Sequence, residues 1–241
     1  MRITVFNSSP RGARGNTHVI VTELAKGAQE AGAEFENVFL VDKTIGHCRG
    51  CFVCWFNTPG QCVIKDDMAE LLDKMRASDI VGFATPLYVD NVSGIMKQFM
   101  DRVIPLVDPH FAKDPGNECK HPFRSGKPPK FLVIANSGFP EQSHFQVLRL
   151  LFQRIARNCS TELAGEIYRG AGELLRNDSL LLGAFTARYK KALRKAGKEL
   201  AETGRLSEKT MAQLEKPLVP ESQYIKGANK HFDTRLRKLD K

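Results

Sequence analysis

The sequence lacks several features that would place its 241 residues in other classes of protein. No apolar run approaches the roughly 20 residues that a membrane-spanning helix needs, so we expect no membrane association. The N-terminal stretch MRITVFNSSP lacks the apolar region and the small-residue cleavage site of a secretory signal peptide. We therefore expect a cytoplasmic protein.

Acidic residues are scarce in the C-terminal part of the chain. Residues 188–241 contain 15 Lys and Arg against 7 Asp and Glu, whereas residues 1–187 contain 21 against 20. A basic segment can bind nucleic acid or an anionic membrane. Because this segment mixes both signs of charge at helical spacing and lacks the aromatic interleaving that stacks bases, we favour a solvated helical face. No nucleic-acid partner is expected.

Short apolar runs alternate with helical patterns over the first two thirds of the chain. Strands are predicted at residues 2–7, 34–42, 79–88, 130–138 and 160–169. Runs of this kind are typical of parallel strands buried on both faces. With right-handed crossovers, five such strands predict an α/β fold whose doubly wound parallel sheet has the order 2-1-3-4-5.

Helical patterns separate these strands and continue after them. They cover residues 17–32, 66–78, 92–107 and 143–158, and Asp66 or Asp67 is expected to cap the second helix. No strand pattern follows residue 169, so we predict a domain at 1–169 and a basic helical extension at 170–241. The extension would pack on the core or on a neighbouring subunit. Its helices are predicted at residues 180–204, 207–215 and 222–232.

The loop after the first strand is polar and opens a helix. In open parallel sheets, ligands bind outside the carboxyl ends of the strands where the strand order reverses, here between the first and third strands. The loop SSPRGARGNT lacks both GxGxxG and the Gly-Lys-Ser/Thr of triphosphate loops. It is either a site for one phosphate monoester or an ordinary polar turn. The candidate phosphate ligands are Ser9, Arg11, Asn16 and Thr17.

The loops after the third and fourth strands could bind the rest of a ligand whose phosphate lies in the first loop. The third strand ends in a proline and a tyrosine, which predict a flat apolar wall for a planar heterocycle; a β-turn with a core tyrosine is the alternative. The fourth strand ends in small residues. Together the three loops offer a phosphate end, a ring end and a polar middle, a combination less expected by chance than any one loop. The third loop contains Pro86, Leu87, Tyr88 and Asn91, and the fourth contains Ser137, Gly138 and Phe139.

Four of the six cysteines lie within fifteen residues, in the pattern CxxCxxC followed by a seven-residue gap. They are Cys48, Cys51, Cys54 and Cys62. This pattern is found in loops that ligate iron–sulfur clusters. Zinc sites more often use two separated CxxC knuckles, and a reactive thiol pair or a segment without metal are further alternatives. Cys119 and Cys159 stand alone, and each is expected to be a small buried residue.

These motifs together resemble the NAD(P)H-dependent FMN reductase and iron–sulfur flavoprotein branch of the flavodoxin superfamily. SSPRGARGNT resembles the phosphate loop of that family, CRGCFVCWFNTPGQCVIKDDM its cysteine segment, and ATPLYVDNVSGIMKQFMDR the strand, loop and helix that flank its flavin. The resemblance covers residues 1–169. It implies a flavodoxin-like fold, NAD(P)H as a transient electron donor, and a 4Fe–4S cluster as one possibility for the four cysteines. It also implies bound FMN, with its phosphate held by the four candidate residues of the first loop. Its ring would be lined by Pro86, Leu87, Tyr88 and Asn91, and the site would be closed by Ser137, Gly138 and Phe139.

The function expected from this resemblance is electron transfer through FMN. NAD(P)H or a ferredoxin would reduce the flavin, which would pass electrons to a quinone, free flavin or another acceptor. An iron–sulfur flavoprotein that carries electrons without a small-molecule substrate is the first alternative, and a nucleic-acid-binding module that uses the basic extension is the second. No side chain need act as a catalytic acid or base, since the flavin carries out the redox chemistry.

The extension also predicts self-association. A neighbouring subunit often covers the flavin ring in this fold, and Leu180, Leu181, Leu182 and Phe185 offer apolar surface that requires burial. We expect a homodimer or homotetramer in sedimentation experiments. A monomer mass that does not change with protein concentration would contradict this prediction.

Overall fold

The computed structural model describes residues 1–176 and 180–238, without the side chains of residues 180–182. Five strands form a parallel sheet in the order β2-β1-β3-β6-β7, and two short strands form an antiparallel hairpin. The sheet confirms the predicted order 2-1-3-4-5. The strands are β1 (Arg2–Asn7), β2 (Glu34–Phe39), β3 (Ile80–Pro86), β4 (Ala112–Lys113), β5 (Cys119–Lys120), β6 (Lys130–Asn136) and β7 (Leu163–Arg169).

The helices follow the predicted order but differ at their ends. The helix predicted at 92–107 ends at Met100, and a 3-10 turn follows at Ile104–Leu106. Pro105 lies within this 3-10 turn, and because proline lacks an N–H, an α-helix could not continue its hydrogen bonds through residue 105. The helices are α1 (Asn16–Glu30), α2 (Val53–Phe56), α3 (Met68–Arg76), α4 (Gly94–Met100), α5 (Gln146–Asn158), α6 (Leu180–Thr203), α7 (Glu208–Glu215) and α8 (Glu221–Leu236).

The sheet is buried on both faces. Alternate residues along β1 show why: Phe6 joins the core that contains α3, α4 and α5, whereas Ile3 and Val5 join the core that contains α1, α6 and α7. A parallel sheet needs such cover on each face, since its strands are apolar on both sides. No helix among the described residues is long and apolar enough to cross a membrane.

Helix α6, which lies in the predicted extension, packs directly on α1. A Cβ on Gly27 would lie 1.8 Å from the carbonyl oxygen of Arg194, and one on Gly197 would lie 2.0 Å from that of Leu24. The backbones of the two helices therefore touch at these glycines. Leu193 and Leu200 of α6 are fully buried, so the extension contributes to the core on this face. The division of the chain at residue 169 stays a prediction.

The apolar residues proposed for subunit contact lie at the start of α6. Phe185 is 53% exposed, while the side chains of Leu180, Leu181 and Leu182 lie outside the described part of the chain. The exposure of Phe185 is compatible with a subunit contact, and the oligomeric state stays a prediction.

The glycine contact between α1 and α6 can be tested with a matched pair of variants. Gly197→Ala inserts a methyl group where backbone already lies, and we expect it to lower the free energy of unfolding by about 1–3 kcal/mol. Gly183→Ala, in the same helix, meets nothing within 4 Å and should stabilise the helix by up to about 1 kcal/mol. Urea unfolding measures both values. Equal midpoints for the two variants would show that the contact is not needed.

Candidate functional site

Buried hydroxyl groups join the loops that follow β1 and β3. The side chain of Ser93, the N-cap of α4, donates to Ser8 Oγ at 2.8 Å and accepts from the N–H of Met96 at 3.3 Å. The N–H of Ser8 donates to the carbonyl of Ala84 on β3 at 2.8 Å. The first and third loops are thereby held together at the point where the strand order reverses.

The first loop leaves the start of α1 open. Helix α1 begins at Asn16, and its N-cap is Gly15, so no side chain caps its first N–H groups. A Cβ at position 15 would lie 2.2 Å from Ser9 Oγ, so glycine lets this part of the loop lie against Ser9 without moving its side chain. An uncapped helix start carries free N–H groups and a partial positive charge, which together attract an anion such as phosphate.

The ends of β1, β3 and β6 enclose a polar cavity. Thr17, in the first turn of α1, accepts a hydrogen bond at 2.7 Å from the buried amide of Asn136, at the end of β6. The Thr17 hydroxyl therefore keeps its own proton to donate to a ligand. The cavity is lined by Ser9, Arg11, Asn16, Thr17, Pro86, Leu87, Tyr88, Asn136, Ser137, Gly138 and Glu173.

Nine of the eleven candidate flavin residues thus lie around one cavity, and two lie beside it. Asn91 closes the turn after β3, and Phe139 stacks on His144 with ring centroids 4.4 Å apart. Two lining residues were not predicted. Asn136 ends a strand at the carboxyl edge and could have been inferred from that position, whereas Glu173 follows residue 169 and carries no local signal.

The turn after β3 has an unfavourable backbone conformation. Tyr88 and Asn91 exchange two backbone hydrogen bonds of 3.0 Å, and between them Val89 and Asp90 have φ values of 49° and 55°. A β-branched residue rarely adopts this left-handed region, which costs on the order of 1–3 kcal/mol. Val89 is also 99% exposed. The turn therefore holds Tyr88 at the rim of the cavity at the expense of stability, as is common at binding sites.

Helix α8 reaches the same rim. Tyr224 donates a hydrogen bond of 2.6 Å to the carbonyl of Gly138, and burial, followed by the negative charge of Glu173, raises the pKa of this phenol. Glu173 in turn lies 3.8 Å from Arg11 in an exposed ion pair. Residues beyond 169 thus contribute directly to the edge of the candidate site.

The four clustered cysteines surround a second cavity. Left-handed backbone at Gly50 and Phe52, with φ values of 60° and 54°, folds the segment around it. Burial, and then the neighbouring Cys62, Cys51 and Cys48, raise the pKa of the Cys54 thiol. The cavity is lined by Cys48, Arg49, Gly50, Cys51, Phe52, Cys54, Cys62, Val63, Ile64 and Ile104.

The geometry of this second cavity does not suit a single metal ion. Among the described residues, no three His, Cys, Asp or Glu side chains are close enough together to hold one ion. The other two cysteines do not line the cavity. Cys119 is exposed, so its predicted burial was wrong. Cys159 is partly buried, and burial raises the pKa of its thiol to about 11.

The order of the five parallel strands defines a flavodoxin-like fold. The family model described as NADPH-dependent FMN reductase matches residues 1–153, and the chain belongs to that family. An iron–sulfur flavoprotein of Methanocaldococcus jannaschii is 38% identical to this chain over 106 residues, 44% of this chain and 53% of that protein. The chain spans about half the length of the curated relatives it matches.

Solved structures share the fold. An NAD(P)H:quinone oxidoreductase from Methanothermobacter marburgensis has a TM-score of 0.58 at 15% identity, over 83% of this chain and 96% of that one. An FMN-dependent NADH-azoreductase from Bacillus anthracis, solved in complex with FMN, has a TM-score of 0.58 at 14% identity, over 83% of this chain and 99% of that one. At this identity the likeness concerns the fold alone.

The first loop can be tested through two arginines three residues apart. Arg11 lines the cavity, whereas the exposed Arg14 does not. We expect Arg11→Ala, and separately Thr17→Ala, to weaken FMN binding by about 1–3 kcal/mol each. Arg14→Ala removes the same charge and should change affinity much less. Quenching of flavin fluorescence measures each Kd, and unchanged affinity in both the Arg11 and Thr17 variants would refute the assignment.

Proposed function

We propose that this chain is an FMN-dependent oxidoreductase that passes electrons from NAD(P)H or a ferredoxin to a quinone, free flavin or other acceptor. The observation that carries the proposal is the cavity at the ends of β1, β3 and β6. It combines an uncapped helix start, buried hydroxyls and an apolar wall, and a monophosphorylated flavin needs each of these. Family membership supports the same assignment.

The residues of the first cavity fit FMN. Ser9, Thr17 and the open N–H groups of α1 would bind the phosphate, with Arg11 adding a charge-assisted hydrogen bond. Pro86, Leu87 and Tyr88 would support the ring. Bound FMN would supply the hydride and electron transfer chemistry. The protein would contribute the position of the ring, and the strained turn after β3 would keep the aromatic side chain in place.

We also propose that the four-cysteine cavity holds an iron–sulfur cluster. All four cysteines line one cavity, and the matched relatives carry the name iron–sulfur flavoprotein. A single tetrahedral ion would need its sulfurs within about 2.3 Å of the metal, whereas a cluster spaces its ligands more widely. The donor set of four thiolates is the one that such clusters prefer. An electron carrier without a substrate of its own remains the competing function.

The expected partners follow from this chemistry. They are small-molecule or protein electron donors and acceptors that approach the exposed rim formed by Tyr88 and Phe139. We propose a cytoplasmic homodimer or homotetramer, in which a second subunit would complete that rim.

The cofactor content can be measured directly. Protein purified without oxygen should be yellow-brown, release FMN rather than FAD, and contain iron and acid-labile sulfide. Cys54→Ser should lose iron and keep flavin, whereas Cys159→Ser, whose side chain lies away from the cavity, should keep both. Flavin without iron in the parent protein would leave a plain FMN reductase, and protein that cannot take up FMN would refute the whole proposal.

Measuring NAD(P)H oxidation distinguishes the oxidoreductase from the electron carrier. Steady oxidation of NAD(P)H with a quinone supports the enzyme. Reduction by ferredoxin without NAD(P)H turnover supports the carrier.

A further inference from the structure

The surface beside the cysteine cavity carries a group of aromatic rings. The ring of Phe52, which lines the cavity, has its centroid 4.9 Å from that of Trp55, and Trp55 lies 6.3 Å from Phe56. Two rings that flank the β4–β5 hairpin extend the group: His121 lies 5.2 Å from Trp55, and Phe111 lies 5.3 Å from His121. We call these five residues the aromatic face: Phe52, Trp55, Phe56, Phe111 and His121.

Three rings of the aromatic face are open to solvent. Phe52 is 42% exposed, Phe56 70% and Phe111 76%. Trp55 is half-buried, and its Nε1–H donates at 3.2 Å to the carbonyl of Ile104, which also lines the cysteine cavity. Large apolar side chains that are exposed next to one another, rather than singly, mark a surface that binds another molecule. The aromatic face is such a surface, and it adjoins the four cysteines.

The acidic residues of the hairpin are already paired. Asp114 lies 2.6 Å from Arg157, while Glu118 lies 2.9 Å from Arg154 and 2.7 Å from Arg157. Both arginines belong to α5, so these ion pairs fasten the hairpin to the body of the protein. The two carboxylates therefore add little net negative charge to the surrounding surface.

Positive charge borders the aromatic face. Lys113 shares one side of its strand with Phe111, and its Nζ donates at 3.0 Å to the carbonyl of Asn117 rather than to a carboxylate. At the other end, the exposed Arg49 lines the cysteine cavity. Residues 43–65, to which Arg49 belongs, contain three Lys and Arg and no Asp or Glu. The face thus has an apolar centre and a basic border.

An acidic protein fits this surface better than a second copy of the chain. Protein interfaces commonly combine an aromatic centre with a polar border, and a basic border steers an acidic partner toward the face. A two-fold dimer built on this face would use the same surface twice and bring the basic border against itself. Proteins that exchange electrons bind each other through small, transient interfaces, which suits three exposed rings beside a redox site.

We propose that the aromatic face is the docking surface for an acidic protein that carries one electron at a time. The inference rests on the proposed function, because a redox group at the four cysteines is what such a partner would approach. The partner loses one electron and this protein gains one, with no bond made or broken. The cysteine cavity shares no lining residue with the first cavity, so this partner and a small-molecule acceptor would approach different surfaces.

The test uses an acidic ferredoxin as the probe and the full chain purified without oxygen. Phe111→Ser removes an exposed ring from the face, and Phe232→Ser is its control, since Phe232 is 57% exposed on α8. Lys113→Glu reverses one charge beside the face, and Lys226→Glu makes the same change at an exposed position of α8. Flavin, iron and sulfide contents establish that each variant is loaded like the parent.

Phe111→Ser should lower the second-order rate constant for reduction by ferredoxin by about fivefold or more, and weaken the binding of oxidised ferredoxin to a similar degree. Lys113→Glu should lower the rate constant by about threefold at low ionic strength, and this difference should disappear in about 0.5 M salt. The two α8 variants should stay within about twofold of the parent. Dithionite, which needs no docking surface, should reduce all of the proteins at the same rate.

Equal rate constants for Phe111→Ser and the parent, or a larger loss in the α8 variants, would overturn the proposal. So would a changed sedimentation mass of Phe111→Ser without ferredoxin, because the face would then belong to a second copy of the chain.

Failure of the proposed function gives a different result. A parent protein without iron refutes the cluster, yet the Kd of oxidised ferredoxin still tests the face, and Phe111→Ser must still weaken it. A fully loaded parent that ferredoxin neither binds nor reduces refutes the docking surface alone.

Discussion

Parallel pairing of all five sheet strands is the constraint on which the rest of this structure depends. It brings every strand end to one edge, so that loops distant in sequence meet at the reversal point between β1 and β3. The Ser8–Ser93 hydrogen bond connects two of these loops across 85 residues. The same pairing leaves both faces of the sheet apolar, and α1, α6 and α7 cover one of them. Parallel strand pairing thus determines both the fold and the position of the candidate site.

The two cavities differ in the kind of backbone structure that surrounds them. The first relies on regular structure: a helix start without a cap and strand ends whose side chains hydrogen bond to each other, as Thr17 does with Asn136. The second lies in irregular backbone that turns at left-handed residues such as Phe52. Irregular backbone requires side chains to hold it, and the Asp66–Arg102 pair does this where no strand or long helix is available.

Both cavities include unfavourable local conformations. Val89 and Phe52 are bulky residues with positive φ, and each is exposed. Such residues lower stability and persist where the surrounding structure over-determines them, which is common where ligands bind. The aromatic core beneath the sheet, where the centroids of the Phe6 and Phe99 rings lie 4.6 Å apart, contributes stability that offsets this strain.

The sequence alone determined the strands and their order, and it marked the polar loop after β1 and the four-cysteine segment as candidate sites, because each depends on local periodicity or short spacing. Tertiary structure alone decided that Glu173 lines the first cavity, that Tyr224 binds Gly138 at its rim, that Phe139 packs on His144 beside it, and that Asp66 binds Arg102. Most of these contacts join residues tens of positions apart, which no local pattern can encode. Helix α6 shows the same limit: its pattern predicts a helix, but only the close approach at Gly27 and Gly197 shows that it completes the cover of the sheet.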